Sequence, residues 1–454
     1  MINRDYLTNL NEAQKEAVLH LDGPLLIVAG AGSGKTKVLT SRIAHIIKSH
    51  KAFSSQILAV TFTNKAAKEM QIRVSKLLRK EATGLPWLGT FHSISAKILR
   101  KHAQAVGLKS NFTIIDQDDQ SRLIKNICKA ENIDIKKISP KYILAVIDKW
   151  KNKGLYPEDV IIKKKETLEN NFLSIYKIYQ QKLIDLNSAD FSDLILHTVK
   201  ILKNYKEIAL LYSKKFKYIL VDEYQDTNFI QSEWLKYLSA SNLNICCVGD
   251  DDQSIYSWRG AEIKNFLEFD KIYPETKIIR LEKNYRSTQN ILNVASNIIE
   301  NNQNRVGKKL FTDQEDGELV TLNCFRNVKD EATEIGSNIE DFKNKFSLNE
   351  VAILVRAIFQ TREFEERFLK IGVPYRIIGG IKFYERAEVK DCVAYLKTVF
   401  QPQDDLAFER ILNVPKRSIG DTTVKAINNF AKLNKCSLEV ASKNLRANLN
   451  LTSF

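Results

Sequence analysis

Between Val248 and Ala261 the chain reads VGDDDQSIYSWRGA. An apolar strand end, Val248 and Gly249, runs into Asp250, Asp251 and Asp252, and Gln253 follows. Tyr256, Trp258 and Arg259 crowd into the next few positions. Carboxylates and an amide suit a nucleotide, its metal and its water, whereas aromatic rings beside an arginine suit stacking on bases. A segment holding both chemistries reads as a coupler between a phosphate site and a nucleic-acid site. The bland alternative is a surface loop with chance aromatics.

Two other segments add to the phosphate chemistry. AGAGSGKT, residues 29–36, lies between a strand pattern and a helix pattern. In Ala29, Gly30, Ala31, Gly32, Ser33 and Gly34 the glycines let backbone N–H groups converge on phosphate oxygens, and the following helix N-terminus adds a favourable dipole. Lys35 would reach the β and γ phosphates, and the Thr36 hydroxyl would ligate Mg²⁺. The strict loop pattern opens on glycine where this chain has Ala29, but the tight backbone falls on Gly30, Gly32 and Gly34. KYILVDEYQD, residues 217–226, is an apolar strand ending in acids. Asp222 at its tip would hold Mg²⁺, and Glu223 would orient or deprotonate the attacking water, which makes the reaction hydrolysis.

These residues need elements to position them. Short apolar runs at 24–29, 57–62, 87–91, 217–222, 244–249 and 277–282 alternate with helical patterns, which predicts a parallel sheet covered on both faces. The stretch 116–205 reads as helical throughout and basic, a helical insertion between strands. A second strand–helix set with strands at 319–325 and 351–355 is expected, and then helices from about 386 onward. The fold class is therefore α/β, with two similar cores and helical additions.

Composition narrows the function classes. The net charge of +15, from 69 Lys and Arg against 54 Asp and Glu, suggests a polyanionic partner, either nucleic acid or an anionic membrane. No apolar run approaches the length of a spanning helix, and MINRDYLTNLNEAQ lacks the apolar centre of a signal peptide, so the cytoplasm is the expected compartment. The cysteines at 128, 246, 247, 324, 392 and 436 form no CxxC pair and read as buried free thiols. The histidines all precede residue 198 and make no metal-ligand spacing.

The ordered series AGAGSGKT, TFTNKAAKEM (61–70), GTFHSI (89–94), VDEYQDTN (221–228), VGDDDQSIYSWRGA and LEKNYRST (281–288) closely resembles superfamily 1 DNA helicases of the UvrD/Rep/PcrA type. The resemblance implies a P-loop NTPase with two RecA-like parallel-sheet cores, 1A and 2A, ATP between them, and helical subdomains 1B and 2B inserted. It implies ATP-dependent 3′→5′ movement on single-stranded DNA and at single-/double-strand junctions, with a role in DNA repair or replication and no membrane. Repair proteins are among the partners it implies. Gln14 then looks like the adenine-reading glutamine, Tyr285 like the residue stacking on adenine, Arg286 like an arginine finger and Gln253 like the γ-phosphate sensor. Lys37 stands where the family usually has Arg, which keeps the charge but loses bidentate contact. Phe62, Tyr256 and Trp258 resemble the base-stacking residues, and Arg259 and His92 would meet phosphate or base. For Phe62, core packing at a strand end competes with stacking.

The resemblance predicts core 1A over 1–115 and 206–282, 1B over 116–205, 2A over 283–385 and part of 2B over 386–454. GGIKFYERAEVKD, 379–391, resembles the entry to 2B. Two further family motifs, resembling TLHxAKGLEF and RRLxYVxxTRA, do not occur in residues 380–454. The chain therefore reads as a C-terminally truncated member with an incomplete second core, for which a separately encoded C-terminal half is an expected partner. Competing readings are an ATP- and DNA-binding remnant that does not unwind DNA, and the ATPase subunit of a helicase–nuclease complex.

Overall fold

The computed structural model describes residues 5–78, 84–131, 133, 138–161, 167–303, 305–343, 345–379, 386–434 and 436–449. The chain divides into two compact units, Met1–Val320 and Thr321–Phe454.

In the first unit, the apolar runs form a parallel sheet from β1 (Leu25–Ala29), β2 (Ile57–Thr61), β3 (Leu88–Thr90), β6 (Tyr218–Val221), β7 (Ile245–Gly249) and β8 (Lys277–Leu281), in the order β3-β2-β6-β7-β1-β8. The pleat alternates side chains between faces. Leu26, Val28, Val60, Val221 and Cys247 join one buried cluster, and Leu25, Ile27, Ala59, Leu220 and Cys246 join the other. Burial on both faces explains why these strands read as unbroken apolar runs. The adjacent thiols Cys246 and Cys247 are buried and free as expected, but Cys324 and Cys392 are exposed.

Helices join the strands where the caps dictate. Thr90 accepts from the Ser93 N–H at the start of helix Phe91–Lys101, and Asn11 and Gln14 form a reciprocal capping box on helix Glu12–Leu19. The insertion carries helices Gln117–Ala130, Pro140–Asn152, Thr167–Asp185 and Phe191–Asn204. It is not helical throughout: within it β5 (Ser188–Ala189) pairs in parallel with β4 (Thr113–Ile114), which lies just before it. These pairs are too short to show a strand period in the sequence. Inside the insertion, the fully buried Lys151 ammonium contacts Asp190 at 2.6 Å and Asp193 at 2.7 Å. Tyr179 and Gln180 donate to the same carboxylates.

The second unit is helical among the described residues. Helices Val328–Phe342 and Thr361–Ile371 share a core of Ala332, Ile339, Phe364, Phe368 and Val373, and Ile427, Ala431, Leu438 and Ala441 form another. The strands expected at 319–325 and 351–355 are not formed; both segments lie outside any ladder and are largely exposed, with Leu322 91% and Leu354 97% accessible. An apolar run becomes a strand only when a neighbour takes its N–H and C=O groups, and neither run has one among the described residues. Within 379–391, residues 380–385 fall outside the described residues. No helix among those described is long and apolar enough to cross a membrane.

Candidate functional site

The parallel sheet delivers its chemistry along one edge. Because the strands share a direction, every residue that follows a strand emerges at the same carboxyl edge, where open α/β sheets bind ligands. In spatial order that edge carries His92 beyond β3, Phe62 after β2, Asp222 after β6, Asp250 after β7, the 30–36 loop after β1 and Asn284 beyond β8. Strands far apart in sequence thus bring the phosphate-type residues onto adjacent strands β6, β7, β1 and β8.

The glycine-rich loop turns into helix Lys35–Lys48 through Gly34 at φ 90° and Gly32 at φ 68°, conformations that an L side chain strains to adopt. The Ser33 hydroxyl donates back to the Gly30 carbonyl at 2.7 Å. Lys35 Nζ donates to Glu223 Oε2 at 3.2 Å. Glu223 stands at φ 52°, a left-handed backbone uncommon for a non-glycine residue and frequent at functional sites. Its carboxylate also accepts from Gln225 Nε2 at 2.9 Å, while Gln225 Oε1 accepts the Asp250 N–H at 3.0 Å. A continuous polar chain therefore runs from the loop lysine across the ends of β6 and β7.

Asp222 is 5% exposed. Burial, and then the neighbouring Glu223 charge, push its carboxyl up to about 7; Lys35 pulls the other way. The same causes push Asp226 up to about 6. Asp222 and Asp226 are buried carboxyls close to the loop lysine, and they and the Thr36 hydroxyl are the hard-oxygen groups these elements offer, the chemistry a divalent cation requires.

Residues 282–287 lie against the loop. Asn284 Nδ2 donates to the Ala31 carbonyl at 2.6 Å, and its Oδ1 accepts from the N–H groups of Arg286 and Ser287. The Tyr285 N–H donates to the Gly32 carbonyl at 3.0 Å. A side chain at Gly32 would meet Arg286 Cβ at 2.7 Å, so the close approach requires glycine there. Gln14 is buried on the other side of the loop, with Nε2 donating to the Ser33 carbonyl at 2.9 Å. Asn11, which caps that helix, donates to the Tyr285 hydroxyl at 2.9 Å. Gln14, Tyr285, Arg286 and Lys35, scattered in sequence, thus gather around one loop. Lys37 is exposed on helix Lys35–Lys48 and donates to the Asn9 carbonyl.

Beyond Gln253 the chain opens to solvent. Trp258 is 72% exposed, and Tyr256 is half-buried beside it with ring centroids 6.4 Å apart. The Arg259 guanidinium lies over both rings, 4.7 Å from the Trp258 centroid and 5.3 Å from that of Tyr256. Phe62 is half-buried and meets Phe91 edge-on at 5.9 Å. His92 packs against Phe191, and burial lowers its imidazole to about 4, so near neutrality it offers a neutral hydrogen-bonding group and no charge.

Sequence reasoning missed Gln225, Asn284, Arg305 and Lys308. The last two reach the Asp250–Asp252 run. The signal for them was three consecutive carboxylates that need cations once partly buried, but no local spacing says which of the many lysines supplies them.

Comparison with known proteins finds relatives along most of the chain. The profile of the UvrD/REP helicase N-terminal domain matches residues 10–274, and that of the UvrD-like helicase C-terminal domain matches 279–445. The second match covers the region read as an incomplete core, so a C-terminally truncated member gains no support from it. A probable DNA helicase II homolog of Rickettsia conorii is 49% identical over 436 residues, 95% of this chain and 66% of the relative. The ATP-dependent DNA helicase PcrA of Bacillus subtilis is 44% identical over 438 residues, 96% of this chain and 59% of the relative. The chain thus spans about two-thirds or less of the length of these relatives.

Proposed function

The chain belongs to the UvrD/REP helicase family, and we propose that it hydrolyses ATP on single-stranded DNA and uses the cycle to translocate 3′→5′ and open duplex DNA at junctions, in DNA repair or replication. The observation that carries this reading is the placement of the phosphate-type residues and the aromatic turn on one sheet edge, linked by the Lys35–Glu223–Gln225–Asp250 chain. Names of relatives such as DNA helicase II and ATP-dependent DNA helicase PcrA support it.

In this reading the backbone N–H groups of 30–36 cradle the phosphates, and Lys35 leaves Glu223 to pair with them. Glu223, freed from the lysine, orients the attacking water and accepts its proton. Thr36 and Asp222 hold Mg²⁺, which when bound neutralises phosphate charge. Arg286 and Gln253 contact the γ-phosphate, and Gln14 and Tyr285 hold adenine. Tyr256, Trp258 and Phe62 stack on bases without reading sequence, with Arg259 and neutral His92 on the backbone. Cores 1A (1–115, 206–282) and 2A (283–385), with 1B (116–205) and 2B (386–454), complete the proposed organisation.

The test is ATP turnover with and without single-stranded DNA, with Lys35→Ala as control, followed by strand displacement on duplexes carrying 3′ or 5′ tails. DNA-stimulated turnover and preference for the 3′ tail are expected. Turnover no greater than that of Lys35→Ala would overturn hydrolysis, and binding of both ligands without turnover would identify a remnant.

A further inference from the structure

One oxygen from each of Asp250, Asp251 and Asp252 lies within 4.8 Å of the others, the arrangement of a small cation cage. Its occupant is a side chain. Lys308 Nζ lies 2.7 Å from Asp250, 2.6 Å from Asp251 and 2.7 Å from Asp252, with the lysine side chain only 2% exposed. Burial disfavours the ammonium, but the hydrogen bonds it donates to the three carboxylates outweigh it and raise the Lys308 pKa. Arg305 adds a bidentate pair on Asp252, at 2.6 and 2.9 Å, and the Val306 N–H donates to Asp251 at 2.8 Å. Gly307 at φ 75° lets the chain turn so that residues on either side reach the same three acids.

The same short segment reaches the glycine-rich loop. A Cβ built on Gly30 would meet the Leu310 side chain at 2.2 Å, so that side chain is packed directly on the loop backbone. Lys309 N–H donates to Glu282 at 3.0 Å at the end of β8. Asp250 divides its carboxylate: Oδ1 takes Lys308, and Oδ2 takes the Gln253 amide. The ammonium therefore fixes the carboxylate that fixes Gln253.

We propose that residues 305–310 are a clasp joining the phosphate loop to the 250–259 turn, with Lys308 a positioning residue that acts through Asp250 on Gln253. The inference rests on the proposed ATPase reading for its consequence, while the clasp itself is a matter of local order. Removing the ammonium leaves buried carboxylates uncompensated, so Asp250 turns toward other donors and releases Gln253. Lys308 and Arg305 pair with the 250–252 carboxylates rather than with the 30–36 backbone or Gln14, so their replacement should change nucleotide affinity little.

Lys308→Met and Lys308→Arg, with Arg305→Gln as a milder variant in case Lys308→Met does not fold, separate the cases. Two measurements are made on the full chain: backbone hydrogen exchange at 251–254 without nucleotide, and kcat and KM for ATP with saturating single-stranded DNA. Expected for Lys308→Met is exchange at 251–254 faster by about tenfold or more with β1 and β7 unchanged. A fall in kcat of about ten- to a hundredfold should accompany it, with KM within about threefold. Lys308→Arg should recover most of both, and Arg305→Gln should fall between. Unchanged exchange overturns the clasp, and changed exchange with unchanged kcat overturns the positioning role of Lys308. If the wild type itself shows no turnover, the ATPase reading fails, and the exchange result decides the clasp alone.

Discussion

The two ends of the 222–259 network are built to opposite specifications. On the phosphate side the polar chain is held link by link: Lys35 by Glu223, Glu223 by Gln225, Gln225 by Asp250, and Asp250 by Lys308. At the aromatic turn, Trp258 and Arg259 are exposed, and the ring–guanidinium contacts are the main side-chain restraint. The contrast follows from what each would bind. Phosphate chemistry depends on fixed dipoles aimed at developing charge. Stacking on successive bases needs open faces that tolerate any base. A fixed end joined to an open end is what a coupler requires, because a change at the first must be felt at the second.

Cutting the fixed end at Lys35 tests the contrast hardest. Lys35→Ala removes the cation paired with Glu223, and kcat for ATP should fall by about 10²–10³-fold, as for loss of one pre-placed electrostatic donor. Affinity for single-stranded DNA without nucleotide should remain near the wild-type value, measured by fluorescence anisotropy. Loss of both together would mean that the two ends are not separable sites. The converse cut is Trp258→Ala. One lost stack is worth about 1–3 kcal/mol, so DNA affinity should weaken roughly 5- to 150-fold. Turnover without DNA should be unchanged, and a variant that lost it would break the division.

Protons give a gentler handle on the fixed end. The Asp222 carboxyl is raised by burial to about 7, so in the folded, cation-free protein it keeps its proton where an unfolded aspartate has lost it. Its contribution to stability is therefore full below the ordinary carboxylate range and is lost as pH rises through about 7. A cation that needs the carboxylate must displace that proton. The Mg²⁺ concentration for half-maximal turnover should then rise about tenfold for each unit below pH 7. Melting without Mg²⁺ should show the opposite slope, with lower stability at pH 8 than at pH 5. In Asp222→Asn that part of the slope should be gone; a slope unchanged in the variant would assign it elsewhere.

The parts legible in sequence were those whose physics is local. A strand buried on both faces is an apolar run, so β1, β2, β6 and β7 could be read within a residue or two. Gly32 and Gly34 announced a turn by their type alone. Partnerships were not legible. Asn284 against Ala31 and Lys308 against three aspartates span residues brought together only by strand order. The runs at 319–325 and 351–355 show the limit from the other side. They have strand composition, yet Leu322 and Leu354 stand in solvent because a ladder belongs to a pair of segments and not to one.

Arg259 decides how the open end works, and the expected effect there is the smallest. Its guanidinium lies over Trp258 and Tyr256 within the chain, so it could brace the rings, contact a DNA phosphate, or do both in turn. Either role predicts weaker DNA binding in Arg259→Ala, so affinity at one salt concentration does not separate them. The salt dependence does. A phosphate contact to single-stranded DNA releases counterion, and its loss should flatten the slope of log K against log salt by about 0.7. A brace releases none, so affinity would drop by a similar factor at every salt concentration with the slope intact. Arg259→Lys sharpens the reading: a lysine keeps the charge but not the planar stack. A slope restored by lysine with affinity restored only in part would mean that the arginine serves both the strand and the rings.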